Sequence, residues 1–177
     1  MSDTGESTPE RSLEERPRLT DEVSVHPSRV SVPDSLSVVQ RVHTSSGVPP
    51  GFDELVRAAE ATVRVYTPTE AIDLAGEPGI RFVDVRDAVE LSDGMISEAI
   101  HASRGRLEAH LDSTNPRYIG ELDDATEVVF YCASGGRSAL AAQRTQELGF
   151  DRVGHLAGGI SAWKEADGPI QIPKDRR

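Results

Sequence analysis

The chain carries one strong nucleophile of the thiol class, Cys132, and the residues that follow it are of the types that activate a thiol. Ala133, Ser134, Gly135 and Gly136 come next, and then Arg137 and Ser138. Two adjacent glycines let the backbone take positive φ and turn its amide hydrogens toward one point, which makes a cradle for an anion. Three influences would favour the thiolate, the reactive form, at Cys132: the positive end of a following helix, the converging loop amides, and the Arg137 guanidinium. The competing reading is an inert buried cysteine acting as a small hydrophobe. That reading accounts for neither the glycine pair nor the strand-end position described next.

The elements around the loop are those needed to hold it. Val128, Val129, Phe130 and Tyr131 are β-branched or aromatic without a polar interruption, as in a strand buried on both faces of a parallel sheet. Ala139, Leu140, Ala141, Ala142 and Gln143 are strong helix formers. Strand, small-residue loop and helix place Cys132 at a strand's carboxyl end, where open α/β sheets put functional groups.

Cys-x-x-Gly-x-Arg-Ser after a buried strand resembles the active-site loop of rhodanese-like sulfurtransferases. Cysteine phosphatases of the same broad fold carry one more residue between cysteine and arginine, a wider loop that fits a tetrahedral oxyanion; this chain resembles the shorter, sulfur-handling form. A second signature corroborates the first. Asp84, Val85 and Arg86 end an apolar run, Ile80 to Val85, and are followed by Glu90, Leu91, Gly94 and Ile96. The resemblance implies that Asp84 and Arg86 brace the active-site side of the fold; ordinary loop capping with a surface ion pair between Arg86 and Glu90 is the alternative. The pattern departs from the family where Met95 replaces a histidine and Glu98 a glycine. A third signature, Leu156, Gly158, Gly159 and Trp163 before Gly168 and Pro169, is similar to the C-terminal one, with Trp163 expected in the core. Together the three span residues 66–170.

Composition bounds the rest. With 177 residues and 37% hydrophobic content, one domain and a tail are expected. A net charge of −11 argues against nucleic acid or an anionic membrane as partner. The polar N-terminus has no signal-peptide h-region, and no apolar run is long enough for a membrane helix, so a soluble, cytoplasmic protein is expected. A single cysteine excludes an intramolecular disulfide and any multi-cysteine metal site, and leaves no second thiol to resolve a modified Cys132. His101 reads as a packing or hydrogen-bonding residue. No metal or organic cofactor is implied.

Residues 1–49 are read as a disordered acidic tail, in which Val23 to Val32 alternates enough to suggest an edge strand or a docking segment. Residues 50–64 form a helical extension, since Phe52, Leu55, Val56, Ala59 and Val63 recur at helical spacing. The rhodanese-like domain is assigned to 65–171, and 172–177 to a C-terminal tail. Within the domain, Thr67, Pro68 and Glu70 make a capping box with proline at the first helical position. A helix is expected over Arg106–Leu111, a loop over Asp112–Leu122, short strands at Ala99–Ala102 and Val153–Leu156, and a glycine stop at Gly149. Strands alternating with helices predict an α/β fold: a mostly parallel sheet of about five strands with helices on both faces.

The function expected from the resemblance is sulfur transfer by a two-step route. Cys132 takes a sulfane sulfur from a small anionic donor such as thiosulfate, and the persulfide passes it to a thiol or cyanide. Backbone amides of Ala133, Ser134, Gly135, Gly136 and Ser138 stabilise the terminal sulfur, and Arg137 orients the donor and shapes the loop. Two alternatives remain open: a cysteine phosphatase or arsenate reductase, and a sulfur-carrier or sensing module that works with a protein partner.

Overall fold

The structure, a computed structural model, describes residues 49–173. Residues 1–48 of the acidic tail, with the Val23–Val32 segment, and residues 174–177 of the C-terminal tail lie outside the described residues. Five strands form one parallel sheet: β1 (Arg64–Tyr66), β2 (Ile80–Asp84), β4 (Ile100–His101), β5 (Glu127–Tyr131) and β6 (Val153–Leu156), in the order β1-β6-β5-β2-β4. Strand β5 is central, with Phe130 beside His155 of β6 and beside Val83 of β2. Its neighbours satisfy its backbone on both edges, which suits a run with no polar residue to spare for solvent.

Side chains alternate along β5 and so sort the helices onto two faces. Val128, Phe130 and Cys132 point to the face covered by α4 (Gly136–Glu147) and α3 (Leu107–Leu111), where they meet Ala141, Ala142 and Leu107. Val129 and Tyr131 point to the face covered by α2 (Pro68–Leu74) and α5 (Gly159–Glu165), where they join Ala71, Ile160 and Trp163. Trp163 is fully buried, packs edge-on against Phe82 at 5.5 Å between ring centroids, and donates its indole N–H to the Pro169 carbonyl. It belongs to the core of the face opposite Cys132.

Helix α1 (Phe52–Glu60) lies against α4, with Phe52 and Val56 over Gly136. Val63, which shares the helical spacing, instead falls in the turn after α1 and is buried there. The capping box at α2 forms as its residues predict: Thr67 Oγ1 accepts from the Glu70 N–H while Glu70 accepts from the Thr67 N–H. The segment expected as a helix from Arg106 begins with a 3-10 turn, Arg104–Arg106, before α3, and another 3-10 turn, Gly120–Leu122, ends the following loop.

Three elements are absent from the sequence reading: a 3-10 helix, Ala88–Asp93, in the turn after β2, and two short strands. β3 (Met95–Ile96) pairs antiparallel with β7 (Ile170–Gln171) in a separate two-stranded sheet. Two residues are too few to show a period, and the pairing is decided by tertiary contact. Just beyond β3, Glu98 adopts φ 62°, a left-handed conformation, at the position where the rhodanese pattern has glycine. The departure is thus one of residue type, while the backbone keeps the geometry a glycine takes.

Candidate active site

Cys132 follows the last residue of β5 and is 1% exposed. The chain turns sharply because Gly135 takes φ 103°, and this aims the Gly135 N–H at Cys132 Sγ, 3.2 Å away. Helix α5 fixes the same loop from the side. Ile160 N–H donates to the Cys132 carbonyl at 2.8 Å, and Ser161 N–H to the Ala133 carbonyl at 3.2 Å. The approach is so close that a Cβ on Gly159 would sit 2.4 Å from the Cys132 carbonyl oxygen. Ser138 is buried and donates its hydroxyl to the Gly135 carbonyl at 2.9 Å, so it holds the loop's end. Ser134 is exposed at the loop's tip, and Gly136 opens α4 under the Phe52 ring.

Arg137 extends away from the loop backbone to the turn that follows β2. Its Nη1 and Nη2 donate to the two carboxylate oxygens of Glu90 at 2.7 and 2.8 Å, and Asp87 lies 4.0 Å from Nη1. A bidentate pair of this kind is geometrically specific and charge-assisted. The Arg137 hydrogen bonds hold the Glu90 carboxyl at about 2, below its ordinary value, and Glu90 in turn pushes Arg137 up.

Asp84 and Arg86 form the base of that turn, both buried, with the Arg86 side chain 4% exposed. Arg86 Nε and Nη2 donate to the Asp84 carboxylate, at 3.0 Å and 2.7 Å, while its Nη1 and Nη2 also reach the carbonyls of Glu90 and Gly94. Burial works against the Arg86 charge, but the hydrogen bonds and charge of Asp84 outweigh it, and the pKa rises. The ion pair between Arg86 and Glu90 expected as the alternative does not form: Arg86 pairs with Asp84, and Glu90 with Arg137. Arg86 takes only the Glu90 backbone carbonyl, and the Glu90 carboxylate goes to Arg137 because Asp84 already fills Arg86. His101 Nε2 lies 2.9 Å from the Arg86 carbonyl, a hydrogen-bonding place.

The residues singled out in the sequence therefore fall into two groups. Cys132, Ala133, Ser134, Gly135, Gly136, Arg137 and Ser138 form one loop and helix start; Asp84 and Arg86 reach it only through the turn that carries Glu90. Sequence reasoning missed Glu90 as a site residue, although an acid in the turn after the neighbouring strand is the natural counter-charge for a loop arginine. It also missed His155, fully buried beneath α1, whose Nε2 is 3.5 Å from Glu60. Burial holds the His155 pKa down. Among the described residues no cluster of three or more histidines, cysteines or carboxylates is placed to hold a metal, and no helix is long and apolar enough to cross a membrane. The arrangement offers a thiol nucleophile, an amide donor at its sulfur and one guanidinium restrained by a carboxylate.

Comparison with known proteins agrees with the geometry. A protein of Allochromatium vinosum named sulfurtransferase is 36% identical over 57% of this chain and 87% of its own. The thiosulfate sulfurtransferase GlpE of Shewanella oneidensis is 34% identical over 55% of this chain and 89% of its own. Among solved structures, a Rhodopseudomonas palustris protein of unknown function, described as a possible tyrosine phosphatase, superposes with a TM-score of 0.66 at 35% identity, covering 70% of this chain and 96% of the other. The polysulfide-sulfur transferase homodimer of Wolinella succinogenes gives 0.54 at 29% identity, covering 71% and 90%. Residues 67–166 match the rhodanese-like domain model, more than half of the chain and inclusive of the whole Cys132 loop, Asp84, Arg86 and Glu90. The chain belongs to the rhodanese-like domain family.

Proposed function

We propose that this protein is a sulfurtransferase that moves a sulfane sulfur from thiosulfate or a similar small anionic donor to a thiol or cyanide through a Cys132 persulfide. The observation that carries the reading is the Gly135 N–H directed at Cys132 Sγ from a loop with only four residues between cysteine and arginine. In the first step the thiolate attacks the outer sulfur of thiosulfate. The new S–S bond forms as the donor's S–S bond breaks, and sulfite leaves with the electron pair. In the second, an acceptor thiolate or cyanide attacks the terminal sulfur and Cys132 departs as thiolate, ready for another cycle. Amides of the loop and the start of α4 stabilise the anionic terminal sulfur, and Arg137 supplies positive charge beside it. Asp84 and Arg86 act at a distance, by fixing the turn that holds Arg137.

The names of the relatives support the same chemistry, and a reducing cytoplasmic setting suits a chain whose one cysteine must stay available as a thiol. The net charge of −11 is the support for excluding nucleic acid and anionic membrane as partners. The test is the intact mass of wild type and Cys132→Ser after incubation with thiosulfate and no acceptor. One added sulfur atom on wild type alone, removed by cyanide, is the expected result; sulfur on both proteins, or on neither with thiosulfate and with methanethiosulfonate alike, overturns the reading.

The Rhodopseudomonas palustris neighbour favours a second reading, phosphate-ester hydrolysis. Against it stand the short loop and the engagement of Arg137 by Glu90, since a phosphoryl group needs the arginine fork to itself. Turnover of an aryl phosphate, lost in Cys132→Ser, would establish the second reading instead.

A further inference from the structure

Arg137 is the only charged side chain within the loop from Cys132 to Ser138, and both its terminal nitrogens are already taken by Glu90. The arrangement is built rather than incidental. Glu90 is anchored by its carbonyl on Arg86 Nη1 at 3.1 Å and by its Oε2 accepting from the Asp87 N–H at 3.0 Å, so its carboxylate is preset for the guanidinium. Asp87 adds a second negative charge 4.0 Å from Arg137, while Arg86 is neutralised by Asp84 and contributes no spare charge. One cation thus faces two anions beside Cys132. A doubly charged donor gains little from such a site, and a singly charged one loses less.

Apolar side chains are also left open to solvent on the two elements that meet the loop's helix start and its arginine. Val89, next to Glu90, is 80% exposed, and Phe52, over Gly136 at the start of α4, is 56% exposed. Inorganic thiosulfate has no group to place on either.

We propose that Glu90 determines donor specificity: by holding Arg137 it weakens the site for dianions and turns it toward singly charged organic sulfane-sulfur donors of the thiosulfonate or persulfide class. This rests on the sulfurtransfer reading. With a thiosulfonate, the Cys132 thiolate bonds to the outer sulfur, the S–S bond of the donor breaks, and the sulfinate leaves with the electron pair, so the total charge is unchanged.

The experiment compares kcat/KM for thiosulfate and for methanethiosulfonate, with cyanide as acceptor, in wild type, Glu90→Gln and Asp87→Asn. Removing one unit charge several ångströms from the donor is expected to raise the ratio of thiosulfate to methanethiosulfonate about tenfold in Glu90→Gln. Asp87→Asn, which leaves the Glu90 bonds to Arg137 in place, should move the ratio the same way by a smaller factor. A purely structural Glu90 would lower both donors together and leave the ratio fixed in both variants, which overturns the assignment. If wild type takes sulfur from neither donor, the sulfurtransfer reading falls and this inference with it; if it takes sulfur and the ratio stays put, only the inference falls.

Discussion

Gly159 lies directly against the carbonyl of Cys132: a Cβ there would be 2.4 Å from that oxygen and 2.7 Å from the carbonyl carbon of Ala133. Backbone on both sides leaves no flexible side chain to yield, and Gly159 itself sits at φ 58°. Gly159→Ala should therefore cost about 2–5 kcal/mol, the sum of overpacking and a left-handed alanine, and should abolish sulfur loading of Cys132. Gly76→Ala serves as the control, since Gly76 has φ 85° with nothing within 4 Å of the added Cβ. Urea unfolding of the two variants separates the conformational part, common to both, from the close approach, present only at Gly159.

Asp84 and Arg86 form a buried pair, and removing one partner leaves the other charged without compensation. Asp84→Ala is expected to destabilise by roughly 3–5 kcal/mol. The loss should also reach the loop, because Arg86 then no longer fixes the carbonyls of Glu90 and Gly94 in place. Chemical denaturation gives the first effect; a lowered rate of Cys132 loading in the fraction that stays folded gives the second.

Arg137→Ala leaves Glu90 and Asp87 without a counter-charge beside the loop. The kcat/KM for thiosulfate should fall by about tenfold or more, with KM carrying much of the change. Adding Glu90→Gln to Arg137→Ala should recover part of the loss, since the two side chains touch and their effects do not add. Steady-state kinetics on the two single variants and the double variant decides this.

Glu98 occupies a left-handed backbone position, worth about 1–2 kcal/mol of strain for a residue with a Cβ. Glycine removes that strain but gains freedom in the unfolded chain, roughly 0.5–1 kcal/mol in the other direction. Glu98→Gly is therefore expected to be neutral to stabilising by about 1 kcal/mol. A lower urea midpoint than wild type would show that the Glu98 side chain makes a compensating contact.

What the sequence made legible was whatever is local. The Val128–Tyr131 run and the Thr67–Glu70 capping box each state their geometry within a few residues, and the structure holds them as β5 and the start of α2; of the glycine pair after Cys132 only Gly135 takes positive φ, while Gly136 already begins α4. What it hid was decided by partners far along the chain. The Glu90 carboxylate belongs to Arg137, forty-seven residues away, rather than to Arg86 four residues before it. Nothing in the spacing distinguishes those two, because the choice depends on Asp84 having filled Arg86 already. The pairing of β3 with β7 is hidden for a similar reason: Met95 and Ile96 pair with Gln171 and Ile170, which lie at the far end of the domain.

The Glu90–Arg137 pair leaves a signature in the dependence of stability on pH. The Glu90 carboxyl is held at about 2 in the folded protein against an ordinary value of 4.5. Between those two values the unfolded chain binds a proton at this position and the folded one does not, so stability falls as pH falls through that window. Above pH 4.5 the contribution is fully present. His155 acts at higher pH and by a different route: burial keeps it neutral, so lowering pH below its ordinary 6.5 favours the unfolded chain, which takes up the proton. Glu90→Gln removes the first effect and leaves the second. Melting temperatures of wild type and Glu90→Gln, measured from pH 7 to pH 2, should thus run parallel down to about pH 4.5 and converge below it, as wild type alone loses the ion pair. Both side chains are about a third exposed, so added salt should shrink the gap at neutral pH. Curves that stay parallel to pH 2 would mean that the carboxylate of Glu90 is not held by Arg137 in solution.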